Sequence, residues 1–162
     1  VTVNSSSLEK EHWTQDVKQG GRLIGEACHF IDLLRFLADA PITEWNCKFI
    51  DDSQDTFTII LKFKDGSIGN LNYFSNGNRL ATKEKLEIFC EGRILSLNNF
   101  KRLKGYGWSN FNQLNLWKQD KGQENCIRQF VNSITKGLED PIPYDEIIEI
   151  AKISIEIAGS AQ

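Results

Sequence analysis

Phe57-Thr58-Ile59-Ile60-Leu61-Lys62-Phe63-Lys64-Asp65-Gly66-Ser67 is the stretch whose pattern sets the fold class. Phe57, Ile59, Leu61 and Phe63 fall on every second position, the side-chain period of a strand with one buried face. Asp65-Gly66 is a two-residue hairpin signal, because the tight turn there needs residues that tolerate positive φ. It sends the chain back through residues 67–74. The same grammar extends outward. Trp45, Cys47 and Phe49 alternate with polar residues upstream, and Leu86, Ile88 and Cys90 alternate with Glu87 and Phe89 downstream. Glu91-Gly92 is a further turn into residues 93–97, and Asn98-Asn99 a turn before 100–103. Together these predict an antiparallel meander of about five or six strands.

Helical patterns flank the meander. Upstream, residues 1–3 are a short β-prone start, and Ser7 caps a turn through Leu8 and Glu11. A polar loop over 14–19 ends at Gly20-Gly21, and a helix is expected over about 23–38, with Pro41 marking its exit. Downstream, Cys126, Ile127, Phe130, Val131 and Ile134 share one helix face, and Gly137 is the stop. Pro141 and Pro143 frame a last helix with a polar stripe of Asp145, Glu149, Lys152 and Glu156; Ile147, Ile148, Ala151 and Ile155 face elsewhere. Residues 104–119 are loop-like, with Trp108, Phe111 and Trp117 among them. Strands in one run with helices segregated from them predict an α+β domain: an open, mostly antiparallel sheet with helices packed on one face. A single domain over 1–162 is expected.

Bulk composition narrows the function. The 162 residues carry a net charge of −3, with both signs interspersed. No basic patch points to nucleic acid, and no apolar run is long enough to span a membrane. There is no secretory signal. Cys28, Cys47, Cys90 and Cys126 lie far apart with no C-x-x-C, so buried reduced thiols in a cytoplasmic protein are expected, and no metal site. Methionine is absent and the last helical pattern runs into the terminus without a stop, so the chain is expected to be a domain excised from a longer protein.

Chemistry concentrates in Gly20-Gly21-Arg22-Leu23-Ile24-Gly25-Glu26-Ala27-Cys28-His29-Phe30-Ile31-Asp32. A glycine turn opens a helix that is apolar on nearly every side and so expected to be buried. One polar stripe runs along it, Glu26, His29, Asp32 and Arg35, each three residues from the next and therefore neighbours. Buried ionisable groups are costly unless paired or used. Read from the helix alone, His29 is a core histidine satisfied by a carbonyl or by Asp32. Glu26 either pairs with Arg22, four residues back, or orients His29. Asp32 pairs with Arg35 or supports His29. Gly20 and Gly21 follow no strand and belong to no G-x-G-x-x-G, so they are a turn and not a dinucleotide loop. His12 and Trp13 either line a pocket or anchor a surface loop. Lys83 could reach a carboxylate or phosphate, and Asn72 and Tyr73 could contact a sugar.

Gly20-Gly21, His29 and Asp32 resemble the motif that opens the C-terminal domain of the Gfo/Idh/MocA oxidoreductases. Phe63-Lys64-Asp65-Gly66-Ser67 and Lys83-Glu84 continue the resemblance. The family's acid, four residues before the histidine, falls on Gly25; the nearest acid is Glu26. The resemblance implies a domain fold like the C-terminal domain of glyceraldehyde-3-phosphate dehydrogenase. It implies that His29, with Glu26, binds or deprotonates a hydroxyl of a sugar, cyclitol or nucleotide-linked sugar during hydride transfer to NAD or NADP. It assigns the cofactor and an assisting lysine to an N-terminal nucleotide-binding domain, so that this chain alone binds no cofactor and is inactive. Arg22, His12, Trp13, Lys83 and Tyr73 are the candidate substrate contacts, and Gly20, Gly21 and Asp32 the supporting residues. A homo-oligomer through the open sheet face is also implied. The alternatives are an oligomerisation domain with a decayed active site, for which Gly25 speaks, and a free-standing ligand-binding domain.

Overall fold

The computed structural model describes residues 1–6, 20–50 and 54–160. In chain order the elements are β1 (Thr2–Asn4), a π-helical turn (Leu23–Ala27), α1 (Cys28–Ala38), β2 (Ile42–Phe49), β3 (Phe57–Phe63), β4 (Ile68–Phe74), β5 (Glu84–Cys90), β6 (Arg93–Asn98), β7 (Arg102–Tyr106), β8 (Gln113–Asn115), α2 (Gln123–Lys136) and α3 (Tyr144–Gly159). Where the sequence suggests one continuous domain, two compact units are distinguished. One comprises Val1–Glu84 with Ile148–Gln162, the other Lys85–Ile147.

The first unit holds the candidate site. β2, β3 and β4 form the predicted antiparallel run, with Ile59 opposite Leu71 and Cys47 opposite Ile59. At the hairpin Gly66 has φ 89°, which favours glycine, and the Asp65 carboxylate accepts from both the amide and the hydroxyl of Ser67. β1 pairs in parallel with β4, placing Val3 beside Tyr73. Phe57, Ile59, Leu61 and Phe63 of β3 and Leu71 and Tyr73 of β4 are buried, as the period of two requires. They form one core with Ile31 and Leu34 of α1 and Ile150, Ile153 and Ile157 of α3. Gly69 lets α1 close on β4: a Cβ there would lie 3.2 Å from Leu34 Cδ1.

Two expectations are corrected here. The helix over 23–38 is not buried all round: Phe36 is 74% exposed, and Leu37 and His29 are exposed as well. Only the side facing β3 and β4 is covered. On α3 the core side chains are Ile150, Ile153, Ser154 and Ile157, while Ile147, Ala151 and Ile155 are exposed. Glu149, read only as part of a polar stripe, turns inward and accepts from Arg35 Nε at 3.2 Å and from the Ile42 amide at 2.5 Å. Glu156 accepts from Trp45 Nε1.

In the second unit β5, β6, β7 and β8 pair antiparallel in succession. β2 to β7 are the expected five or six strands; β1, expected as a β-prone start, and β8, in the stretch read as loop-like, bring the strands among the described residues to eight. β1 and β8 have three residues each, too few to show a period. β7 begins at Arg102, later than expected, because Asn99 and Phe100 both take positive φ and lengthen the turn. α2 ends as predicted at Gly137 (φ 60°), with the Leu138 amide returning to the Ser133 carbonyl. All four cysteines are free; Cys28 and Cys47 are half-buried, whereas Cys90 and Cys126 are exposed, against the expectation that all are buried.

Candidate active site

The glycine turn is fixed by packing. Gly20 has φ 89°, and a Cβ on it would lie 2.5 Å from Ile24 Cγ1. Its carbonyl accepts from the Ile24 amide at 3.1 Å. Beyond it the chain enters a π turn, in which the Cys28 amide reaches the Leu23 carbonyl five residues back. Gly25 and Glu26, where the motif departs from the family pattern, both lie in this widened turn. Spacing rules for an α-helix do not carry through it, so the alternation of Arg22 and Glu26 does not place them in contact.

Arg22 and Glu26 are joined instead through a third residue. Arg22 is 1% exposed. Its Nη1 donates to Ser5 Oγ at 2.6 Å and to the Tyr73 hydroxyl at 3.3 Å, and its Nη2 donates to the Ser6 carbonyl at 3.1 Å. Its Nε lies 3.7 Å from Asp55 Oδ1, too far for a hydrogen bond. The Tyr73 hydroxyl in turn donates to Glu26 Oε2 at 2.5 Å. Tyr73 is fully buried, stacked on Phe57 with ring centroids 5.0 Å apart. Burial and the Glu26 carboxylate push its phenol up to about 12. It stays a neutral donor.

Further along the same helix His29 is exposed and Asp32 half-buried. Burial holds the Asp32 carboxyl above the ordinary carboxylate range, with the charges of His29 and Arg35 working the other way. Cys28, just before His29, donates its thiol to the Ile24 carbonyl at 3.0 Å, and burial pushes that thiol up. The segment thus carries an anchored carboxylate, an exposed histidine and a half-buried acid. Such a set can bind a hydroxyl and move its proton.

The other candidates fall in different places. Arg22 and Tyr73 lie inside the core, and the Arg22 Nη atoms and the Tyr73 hydroxyl are engaged by the protein, so neither side chain is offered to a substrate. Lys83 is exposed, and its carbonyl accepts from the Asn4 amide at 2.7 Å. Asn72 accepts from Thr58 Oγ1 across the β3–β4 pair. His12 and Trp13, and the turn capped by Ser7, lie outside the described residues. Ser5 and Asp55 are members of the network that the sequence did not suggest. They lie far from Arg22 in the chain, and only the pairing of β1 with β4 brings Ser5 to it.

The space beside Gly20 that a phosphate cradle would need is filled by Ile24. Among the described residues no group of His, Cys, Asp and Glu could hold a metal ion, and no helix is long and apolar enough to cross a membrane.

Comparison with known proteins agrees with this frame. A family model for the C-terminal alpha/beta domain of the Gfo/Idh/MocA oxidoreductase family matches residues 1–152. No curated protein sequence matches significantly. Among solved structures, UDP-N-acetylglucosamine 3-dehydrogenase GnnA from Acidithiobacillus ferrooxidans aligns with TM-score 0.75 at 16% identity, over 98% of this chain and 51% of that one. GenD2 from gentamicin A biosynthesis, solved in complex with NAD, aligns with TM-score 0.70 at 17% identity, over 99% and 51%. Aldose-aldose oxidoreductase from Caulobacter crescentus, complexed with glycerol, aligns with TM-score 0.74 at 13% identity, over 99% and 52%. At these identities the likeness is one of fold, and the chain spans about half the length of each structure. With 152 of its residues matched by the family model and its sheet and helices superposing on these enzymes, the chain belongs to the Gfo/Idh/MocA oxidoreductase family, as its C-terminal alpha/beta domain.

Proposed function

We propose that this chain is the substrate-side domain of an NAD- or NADP-dependent oxidoreductase acting on a hydroxyl of a sugar, cyclitol or nucleotide-linked sugar. The observation that carries the proposal is the helix on which an exposed His29 follows a Glu26 anchored from beneath by Tyr73. His29 accepts the proton of the substrate hydroxyl, and Glu26 binds or orients that hydroxyl. Asp32 supports His29 electrostatically. Lys83, exposed, is a candidate substrate contact, as are His12 and Trp13. The hydride acceptor is assigned to a separate nucleotide-binding domain of the full-length protein, and the chain alone is inactive. The half-length coverage of the solved structures supports this division, as does the substrate printed for the dehydrogenase from Acidithiobacillus ferrooxidans. Exposed Ile60, Ile68 and Phe74 on the outer face of β3 and β4 support self-association there, and four free cysteines agree with a reducing, cytoplasmic setting.

The test has two arms. The full-length protein is assayed with UDP-N-acetylglucosamine, myo-inositol and glucose, each with NAD⁺ and NADP⁺, following reduced nicotinamide by absorbance. Turnover of at least one pair is expected; silence across all of them contradicts the proposal. The present chain is then titrated with NADH and NADPH. Saturable binding at micromolar concentration would show that the division of labour is wrong. Gly25 in the place of the family's acid favours one alternative, a non-catalytic oligomerisation domain, and total inactivity of a folded full-length protein would support it.

A further inference from the structure

We propose that Tyr73 is a positioning residue for Glu26: the Arg22–Tyr73 pair, reaching across from β4, fixes the carboxylate that the helix itself supplies one position out of register. The inference rests on the reading of Glu26 as a functional acid.

Packing does not account for the Tyr73 hydroxyl. The ring lies in the core on Phe57, with 7° between the planes, and a phenylalanine would stack equally well. Placing a hydroxyl there requires partners, because a buried polar group without them is costly. Its charged partners, Glu26 and Arg22, have opposite roles, and the neutral Ser5 hydroxyl lies beside them. Tyr73 has one proton to give, and it goes to Glu26 Oε2. The oxygen must then accept, and it accepts from Arg22 Nη1. The hydrogen bonds therefore run one way, from guanidinium to phenol to carboxylate, and bonds in such a chain strengthen one another.

Arg22 is itself held through both Nη atoms, its Nε facing Asp55 without a hydrogen bond. Ser5 Oγ, the Ser6 carbonyl and the Asp55 carboxylate come to it from two other segments. A buried guanidinium held this firmly is a poor stability device, since charge burial offsets what pairing returns. It is a good anchor. One oxygen of Glu26 is fixed by this anchor, and the other, Oε1, accepts no hydrogen bond among the described residues. That leaves a carboxylate with a set orientation and, among the described residues, one oxygen open to a ligand, on the helix that carries the exposed His29. Positioning of this kind acts on the reacting geometry rather than on affinity.

The experiment uses the full-length protein and the sugar or cyclitol it turns over. Tyr73→Phe is expected to keep the fold and lower kcat by roughly 10- to 100-fold, the worth of a hydrogen bond to a charged group, with KM little changed. Glu26→Gln is expected to lower kcat at least as far. The double variant should fall no further than Glu26→Gln alone, because Tyr73 acts through Glu26. Multiplying losses in the double variant overturn the inference, as does unchanged kcat in Tyr73→Phe beside an inactive Glu26→Gln. Full activity in Glu26→Gln is a different failure: it removes Glu26 from the reaction and takes this inference with it. Should Tyr73→Phe not fold, Ser5→Ala, which removes a partner of Arg22 and of the Tyr73 hydroxyl, carries the same expectation at smaller size. A crystal structure of Tyr73→Phe gives a readout without substrate: Glu26 in more than one rotamer supports the inference, and one unchanged rotamer contradicts it.

Discussion

Gly20 shows how tightly single positions are specified. Its φ of 89° is a region that side-chain-bearing residues avoid, and the Cβ of an alanine would meet Ile24 Cγ1 at 2.5 Å. Gly20→Ala should therefore destabilise the chain by about 2 kcal/mol or more, from backbone strain and overpacking together. A fall in the urea midpoint with unchanged slope is the measurement. Asp32 offers a pH-dependent case. Burial raises its carboxyl in the folded state, so the folded state favours the protonated form. That contribution is complete below the unfolded pKa and is lost as pH rises through the folded one. Asp32→Asn should therefore melt higher than the wild type at pH 7, and the gap should close near pH 3. An equal gap at both pH values would contradict it. The cysteines divide by environment. Cys90 and Cys126 are exposed, while burial pushes Cys47 up to about 11 and raises Cys28. A thiol reagent at pH 8 should label the first two quickly and the other two only on unfolding. At this scale the sequence was informative where a residue acts through its neighbours in the chain, as the hairpin Asp65-Gly66 does. It was silent where partners arrive from distant strands. The Arg22–Glu26 spacing suggested a direct pair, but a π turn and an intervening Tyr73 replaced it.

Among the elements, the strands were the most legible, because alternation records burial directly. β3 matches its predicted bounds, and β2, β4, β5 and β6 differ from theirs by few residues. β1 was anticipated only as a β-prone start, and β8 was illegible, because three residues hold no period. Helix faces were less secure, because isoleucine occurs all round α3 and several stripes can be drawn through it. The acids decide between them: Glu149 turns to Arg35 and to the start of β2, which puts Ile150, Ile153 and Ile157 inside. Glu149 thus ties three elements of one unit together. Glu149→Ala leaves the buried Arg35 without this partner and the Ile42 amide without its acceptor, and should destabilise by about 2 kcal/mol or more. Glu149→Gln, which can still accept from Ile42, should cost less. Equal losses would mean that the ion pair matters more than the amide contact.

On the scale of the whole molecule, the Gly-Gly-to-Asp32 motif was enough to indicate the family, which the match over residues 1–152 establishes. The site was legible only in outline. His29 and Glu26 could be named from the motif, but their surroundings depend on β1 and β4, which no local pattern connects to the helix. The division of labour proposed for the full-length oxidoreductase places proton handling in this domain and the nicotinamide in another. His29 is where that claim is most exposed, since its side chain reaches solvent and the fold does not depend on it. The decisive measurement is kcat of full-length His29→Ala, with the melting temperature as a check on the fold. The account predicts a loss of roughly 100-fold or more with an unchanged melting temperature; turnover at the wild-type rate from a folded variant would contradict it.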